Sequence, residues 1–174
     1  DDEWSYDPET NSVASGSDGI SEVTLFPNST GSSGNLGTVN IGVTENSTSY
    51  ISKQIRQGLS KSDVDFHGGS IELNDQGRLH LSGNPGLSAS MQKALKTIVG
   101  QVRVIPIYRS VSGNGNNASF EIVEFVAVRI MAAQLSGGEK AITVQPAAMT
   151  LDGLIQGSSS GLSDGIFSSP RNVH

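Results

Sequence analysis

The residues best suited to chemistry are few. Asp63, Asp65 and His67 alternate within Ser62-Asp63-Val64-Asp65-Phe66-His67, a pattern that could offer carboxylate and imidazole ligands to a metal. An EF-hand calcium loop needs further oxygen ligands, a central glycine and a closing glutamate at fixed positions, and those are missing here. The stretch therefore reads as one helical turn ended by Gly68-Gly69, with Ser62 or Asp63 as its cap and His67 at the surface. His80 sits between Leu79 and Leu81, on the wetter face of a strand, and His174 lies in the tail. Hydrolysis would require a nucleophile oriented by a base, or two carboxylates converging on one bond. Serines are plentiful, but no Gly-x-Ser-x-Gly elbow occurs. GNLGTVNIG, from Gly34 to Gly42, lacks the Lys-Ser/Thr ending of a phosphate-cradling loop. The string SGNGNN, from Ser112 to Asn117, could line a pocket at the end of a hairpin. No catalytic residue, metal ligand or cofactor is expected.

Composition narrows the class of partner. The 174 residues suit one domain, with 35% hydrophobic and 5% aromatic residues, 21 glycines and no cysteine, a mix that favours short strands and many turns. A net charge of −6 argues against a nucleic-acid partner, since phosphate contacts are built from Lys and Arg. Without cysteine there are no disulfides and no thiolate chemistry. No run approaches the roughly 20 apolar residues of a spanning helix. Asp1-Asp2-Glu3 reads as an arbitrary start. The whole is expected to be a soluble extracytoplasmic domain.

The elements follow from periodicity. QVRVIPIYRSV and FEIVEFVAVRIMA flank the SGNGNN turn, and Gly137-Gly138 precedes KAITVQP, so three successive antiparallel strands are predicted. Pro106 cannot donate to a ladder, which makes its strand an edge or gives it a bulge. Ile122, Phe125, Val126, Val128 and Ile130 place the next strand mid-sheet, with Glu121, Glu124 and Arg129 exposed or near an end. Ile20 to Phe26 is a first strand, and Leu36, Val39 and Ile41 form a short extended segment. Tyr50, Ile51, Ile55 and Leu59 recur at helical spacing between a cap at Asn46 or Ser47 and a stop at Gly58. Ile71 and Leu73, then Leu79 and Leu81, alternate about Asn74-Asp75-Gln76-Gly77 and predict a hairpin. A second helix carries Leu87, Met91, Leu95, Ile98 and Val99 on one stripe and stops at Gly100. The fold class expected is α+β: an antiparallel β-sheet with two short packing helices and flexible termini. Residues 1–19 read as a disordered arm, 20–156 as the globular domain and 157–174 as a flexible tail, with Ile166 and Phe167 touching the body.

GLSASMQKALKTIVGQVRVIPIYRSVSGNGNNASFEIVEFVAVRI, followed by Lys140 to Pro146, resembles the soluble part of TadE/TadG-like proteins of the Tad (Flp-type) pilus-assembly apparatus. The glycine-bounded segment Gly34 to Gly42 and the following NSTSYISKQIRQG are similar to the same family, so the resemblance spans about Ile20 to Thr150. It implies an exported domain whose full-length protein carries an N-terminal anchor helix in the inner membrane, absent from these residues. The Asp-x-Ser-x-Ser metal motif of larger members is also absent, and the family supplies no catalytic residue to carry over.

The function expected is non-catalytic: a periplasmic or surface-exposed structural part that meets other pilus-assembly or envelope proteins, with no nucleic-acid partner and no membrane contact beyond the implied anchor. The runner-up is a carbohydrate- or surface-binding module. The strand around Pro106 is the expected docking edge, through Ile105, Ile107 and Tyr108, and a partner would add a strand there. Lysine at Ile107 or Tyr108 is then expected to weaken assembly without unfolding the monomer.

Overall fold

A computed structural model describes residues 1–26, 37–42, 47–85, 88–136, 141–148 and 165–168. Its elements are β1 (Trp4–Asp7), β2 (Ser12–Ser15), β3 (Val23–Phe26), β4 (Gly37–Asn40), α1 (Thr48–Gln57), α2 (Lys61–Phe66), β5 (Ser70–Glu72), β6 (Leu79–Pro85), α3 (Gln92–Lys96), β7 (Val102–Ser112), β8 (Ala118–Gln134), β9 (Ala141–Pro146) and β10 (Gly165–Ser168). The fold is α+β, with antiparallel sheets and a few short helices.

The three predicted central strands form as read. β8 is the spine, because β7 pairs along one of its edges from Ser119 to Arg129 while β6 (at Ala118 to Ile122) and β9 (at Val128 to Gln134) share the other. β4 continues the sheet beyond β6, and β3 continues it beyond β9. Phe125 and Val126 are neighbours on β8 and point to opposite faces. Each face has its own apolar cluster. One gathers Ile51, Met91, Leu95, Ile98, Val128, Ile130, Leu135, Ile142 and Val144, with Val126 against it. The other gathers Val64, Ile71, Leu81, Phe120, Ile122 and Phe125. Each such side chain, fully buried, contributes about 1.5–3 kcal/mol.

Helix ends obey local rules. Ser47 caps α1, its Oγ accepting from the Tyr50 amide at 3.2 Å, and Gly58 (φ 76°) stops it. Asn46, the other cap considered, lies outside the described residues. α2 is capped earlier than expected, by Ser60 and not by Ser62 or Asp63: Asp63 Oδ2 accepts from the Ser60 amide at 2.7 Å while Ser60 Oγ accepts from the Asp63 amide at 3.3 Å. This reciprocal capping box satisfies two end amides at once. The second predicted helix is short, a 3-10 turn at Ala89–Met91 running into α3. Met91, Leu95 and Ile98 are buried as the stripe required, and Leu87 lies outside the described residues.

Two expectations need correction. The turn at Asn74 forms, with Asn74 Oδ1 accepting from the Gln76 and Arg78 amides, but β5 and β6 do not pair. β6 is held by β8 and β4, and β5 pairs instead with β10, Ile71 facing Phe167. The backbone of Gly165–Ser168 thus pairs with the body through β5. The rest of the predicted flexible tail falls outside the described residues.

The N-terminal arm is not disordered. β1 and β2 form a hairpin in register from Trp4↔Ser15 to Asp7↔Ser12. It is held by polar contacts rather than by apolar area, which is why hydrophobicity did not disclose it. Asp2 accepts from Ser17 Oγ and from the Asp18 and Gly19 amides, and Glu22 accepts from the Glu3 and Trp4 amides. The Arg129 guanidinium lies 3.4 Å from the centroid of the Tyr6 ring, so this arginine, expected at an exposed face or end, is covered by the hairpin.

Candidate functional site

β7 has 11 residues and, among the described residues, pairs with no strand but β8. Its outer row of main-chain groups is therefore the long edge of the sheet. Pro106 faces Phe125, and the register shifts between Ile107 and Tyr108 and again between Tyr108 and Ser110. Of the two alternatives predicted from the proline, the edge is what occurs at Pro106 itself, and the register shifts fall one to four residues farther along. Such features are common where natural edges discourage indiscriminate pairing.

The three residues named for this edge are all half-buried, but in different ways. Ile105 packs on the α1 and α3 cluster. Tyr108 packs on the other cluster and meets Phe120 edge-to-face, with centroids 5.2 Å apart and planes at 88°. Burial pushes the Tyr108 phenol above its ordinary pKa. Ile107 belongs to neither cluster. Ile105 and Tyr108 thus anchor the strand, leaving its backbone and Ile107 as the groups a partner could use. Tyr108 is for this reason unsuited to the lysine test, since its replacement would open the core.

The start of the edge is braced. Arg103 donates to the Ile55 and Arg56 carbonyls, each at 3.3 Å, and to Gln101 Oε1 at 2.6 Å. A cation at the carbonyl end of α1 is favourably placed. Burial draws the guanidinium pKa down. Farther along, Glu121 accepts from Ser110 Oγ at 2.7 Å and pairs with Arg78 at 2.8 Å. The Ser110 hydroxyl, then Arg78, hold its carboxyl below the ordinary range.

A depression of about 280 Å³ lies between α1 and α2, lined by Tyr50, Lys53, Gln54, Gln57, Ser60 and Asp63 among others. Its polar groups serve the fold. Gln54 Nε2 donates to the Ile41 carbonyl at 2.8 Å, and Gln54 Oε1 accepts from the Ile41 amide at 3.4 Å. Asp63 accepts from Ser60 and from the Tyr50 hydroxyl. Burial works to raise the Asp63 pKa, but the bonds from Tyr50 and Ser60 outweigh it and hold the carboxyl below its ordinary value.

The alternating trio does not converge. Asp63 is 2% exposed and turned toward Tyr50, whereas Asp65 faces solvent and pairs with Lys61 at 2.6 Å. His67 is half-buried rather than at the surface, its ring edge-to-face with Phe66 at 5.2 Å. His80 is exposed, opposite Glu121 in the ladder, and His174 lies outside the described residues. Among the described residues, no three Asp, Glu or His side chains come together as a metal would require. The SGNGNN turn closes the β7–β8 hairpin and does not line the depression.

Sequence reasoning missed Gln145, which is 2% exposed and ties the N-terminal hairpin to β9 across the chain. The only hint was compositional: residues 1–22 hold seven carboxylates and no Lys or Arg. Comparison of the chain with family models, with curated proteins and with solved structures finds no match. No helix among the described residues is long and apolar enough to cross a membrane.

Proposed function

We propose that the chain is a non-catalytic, extracytoplasmic structural domain of a Tad (Flp-type) pilus or related secretion apparatus, acting through contacts with other envelope proteins. The β7 edge is the observation that carries this reading. It is long, lacks a second strand partner among the described residues and is anchored from below by Ile105 and Tyr108. The proline and register shifts block indiscriminate pairing, so strand addition here takes a partner matched to this edge, with main-chain hydrogen bonds supplying affinity. The likeness of Ile20 to Thr150 to TadE/TadG-like proteins supports the choice of apparatus. The test is Ile107→Lys in the full-length protein. Loss of co-purification with pilus-assembly proteins, at unchanged monomer stability, is the expected result; retained assembly in a folded variant counts against the edge.

A carbohydrate- or surface-binding module is the second reading, favoured by one observation, the Tyr50-lined depression. Binding there would have to compete with the bonds that Gln54 and Asp63 already make to the fold. A glycan array that yields a ligand lost in Tyr50→Ala, but kept in Ile107→Lys, would reverse the preference.

A further inference from the structure

The direction in which the Pro106 nitrogen points decides how much of the β7 edge a partner can use. Along an antiparallel strand, successive residues turn their N–H and C=O groups to opposite sides. Ile130 turns toward β7, because its carbonyl accepts from the Gly100 amide at 2.8 Å and its amide donates to the Gln101 carbonyl at 3.1 Å. Ala127 turns to the β9 side, its carbonyl accepting from the Ala147 amide at 3.1 Å. Counting along β8 from these two, Val128, Val126 and Glu124 exchange bonds with Arg103, Ile105 and Ile107, whereas Arg129, Ala127 and Phe125 do not bond the residues opposite them. Val102, Val104 and Pro106 therefore turn their main-chain groups to the open side. The Val102 carbonyl bears this out, since Arg103 Nη1 reaches it at 2.9 Å.

Pro106 thus withholds its donor where an incoming strand would need it. From Val102 to Pro106 the outer row offers two amides, of Val102 and Val104, and three carbonyls. Past Ile107 the register shifts twice and the row is broken. At the other end the strip stops at Gly100, where a Cβ would lie 3.2 Å from the Asn11 carbonyl, so the turn between β1 and β2 lies against it. That turn carries Asp7 and Glu9, both exposed and neither in an ion pair among the described residues. An antiparallel strand laid on this strip has its one unmatched carbonyl on its first residue, where water reaches it. A parallel strand has that carbonyl inside the ladder. The antiparallel partner then leaves past Val102, toward the acidic turn.

We propose that the docking strip is confined to Val102–Pro106 and takes a short apolar segment, antiparallel to β7 and followed by Lys or Arg. The apolar requirement comes from the half-buried Val102, Val104, Ile105 and Ile107 that flank it, and the basic one from Asp7 and Glu9. A second copy of the chain fits poorly. Twofold pairing about Val104 sets each Pro106 opposite the other copy's Val102, and a bond is lost on both sides. The proposal rests on the reading of β7 as the docking edge and adds its limits, direction and chemistry.

The test is a set of photoreactive residues in the full-length protein in cells, placed singly at Val102, Ile107, Arg109 and Ser112. Adducts are expected at Val102 and Ile107, with about fivefold fewer at Arg109 and Ser112. Glu9→Lys should cut the Val102 adduct about threefold or more, with Glu9→Gln intermediate. In the purified chain, hydrogen exchange should find the Val102 and Val104 amides fast and those of Arg103, Ile105 and Ile107 protected. Equal adducts at all four positions, or protected Val102 and Val104 amides, would overturn the limit at Pro106 while leaving β7 as the docking edge. An unchanged yield in Glu9→Lys would overturn the direction and the basic flank. Adducts at twice the mass of the chain would make the occupant a second copy and overturn the partner's chemistry. No adduct at any of the four, in folded protein, would overturn the reading of the edge itself.

Discussion

The ring of Phe120 occupies the space in which a Cβ on Gly83 would stand: such an atom would lie 2.6 Å from Phe120 Cε2, and one on Gly37 would lie 2.5 Å from Cζ. Two adjacent strands, β4 and β6, thus leave their side chains out so that one aromatic ring of β8 can lie against their backbones. Gly83→Ala should cost about 1–3 kcal/mol, the usual penalty for overpacking a filled site. Chemical denaturation will show it. A Cβ on Gly83 would also run into the Thr38 carbonyl of the neighbouring strand, so Phe120→Leu should relieve only part of the cost of Gly83→Ala when the two are combined.

The α2 capping box sets a second prediction. Asp63→Ala removes the acceptor for the Ser60 amide and for the Tyr50 hydroxyl, and should destabilise the domain by about 1–3 kcal/mol. Because the folded carboxyl titrates below its ordinary value, its contribution is present above the unfolded pKa and is lost as pH falls through the folded one. Thermal melts of the wild type and Asp63→Ala should therefore converge in acid.

His67 predicts a pH dependence at higher pH. Burial pulls its pKa below the ordinary 6.5, with Asp63 acting weakly in the opposite direction, and its Nε2 is a buried atom without a hydrogen-bond partner among the described residues. The unfolded chain therefore takes a proton that the folded chain refuses. Stability should fall as pH drops through the unfolded value toward the folded one, and the fall should be complete below it. His67→Asn should flatten Tm between about pH 7 and 5 relative to the wild type. An unchanged slope would assign the effect elsewhere.

The hairpin contact makes a fourth prediction. Tyr6→Ala removes the ring beneath Arg129 and should cost about 0.5–2 kcal/mol. Limited proteolysis should then cut first between Asp7 and Ser12, the turn joining β1 and β2.

What could be read in advance was what is local. Caps at Ser47 and Gly58, the stripe Met91, Leu95 and Ile98, and three consecutive antiparallel strands all depend on neighbours in sequence. Pro106 announced an edge because it lacks a donor, a property of one residue. Pairing is different. Alternation at Ile71 and Leu81 identifies strands but not their partners, and β6 was claimed by β8 and β4, strands far from it in the chain. The N-terminal hairpin was harder still. Its attachment joins Glu22 to Gln145, 123 positions apart, through hydrogen bonds that leave no mark on hydrophobic periodicity. At the candidate site, the edge was legible, whereas the anchoring of Ile105 and Tyr108 below it required the opposite faces of β8 to be known.

The most direct measurement is in-cell crosslinking from the β7 edge. A photoreactive residue placed at Ile107 in the full-length protein should yield adducts with envelope or pilus-assembly proteins, and the same group at exposed Lys93 on α3 should not. Adducts at Lys93 alone, or none at Ile107 in a folded and stably expressed protein, would contradict a role as a scaffold held by that edge.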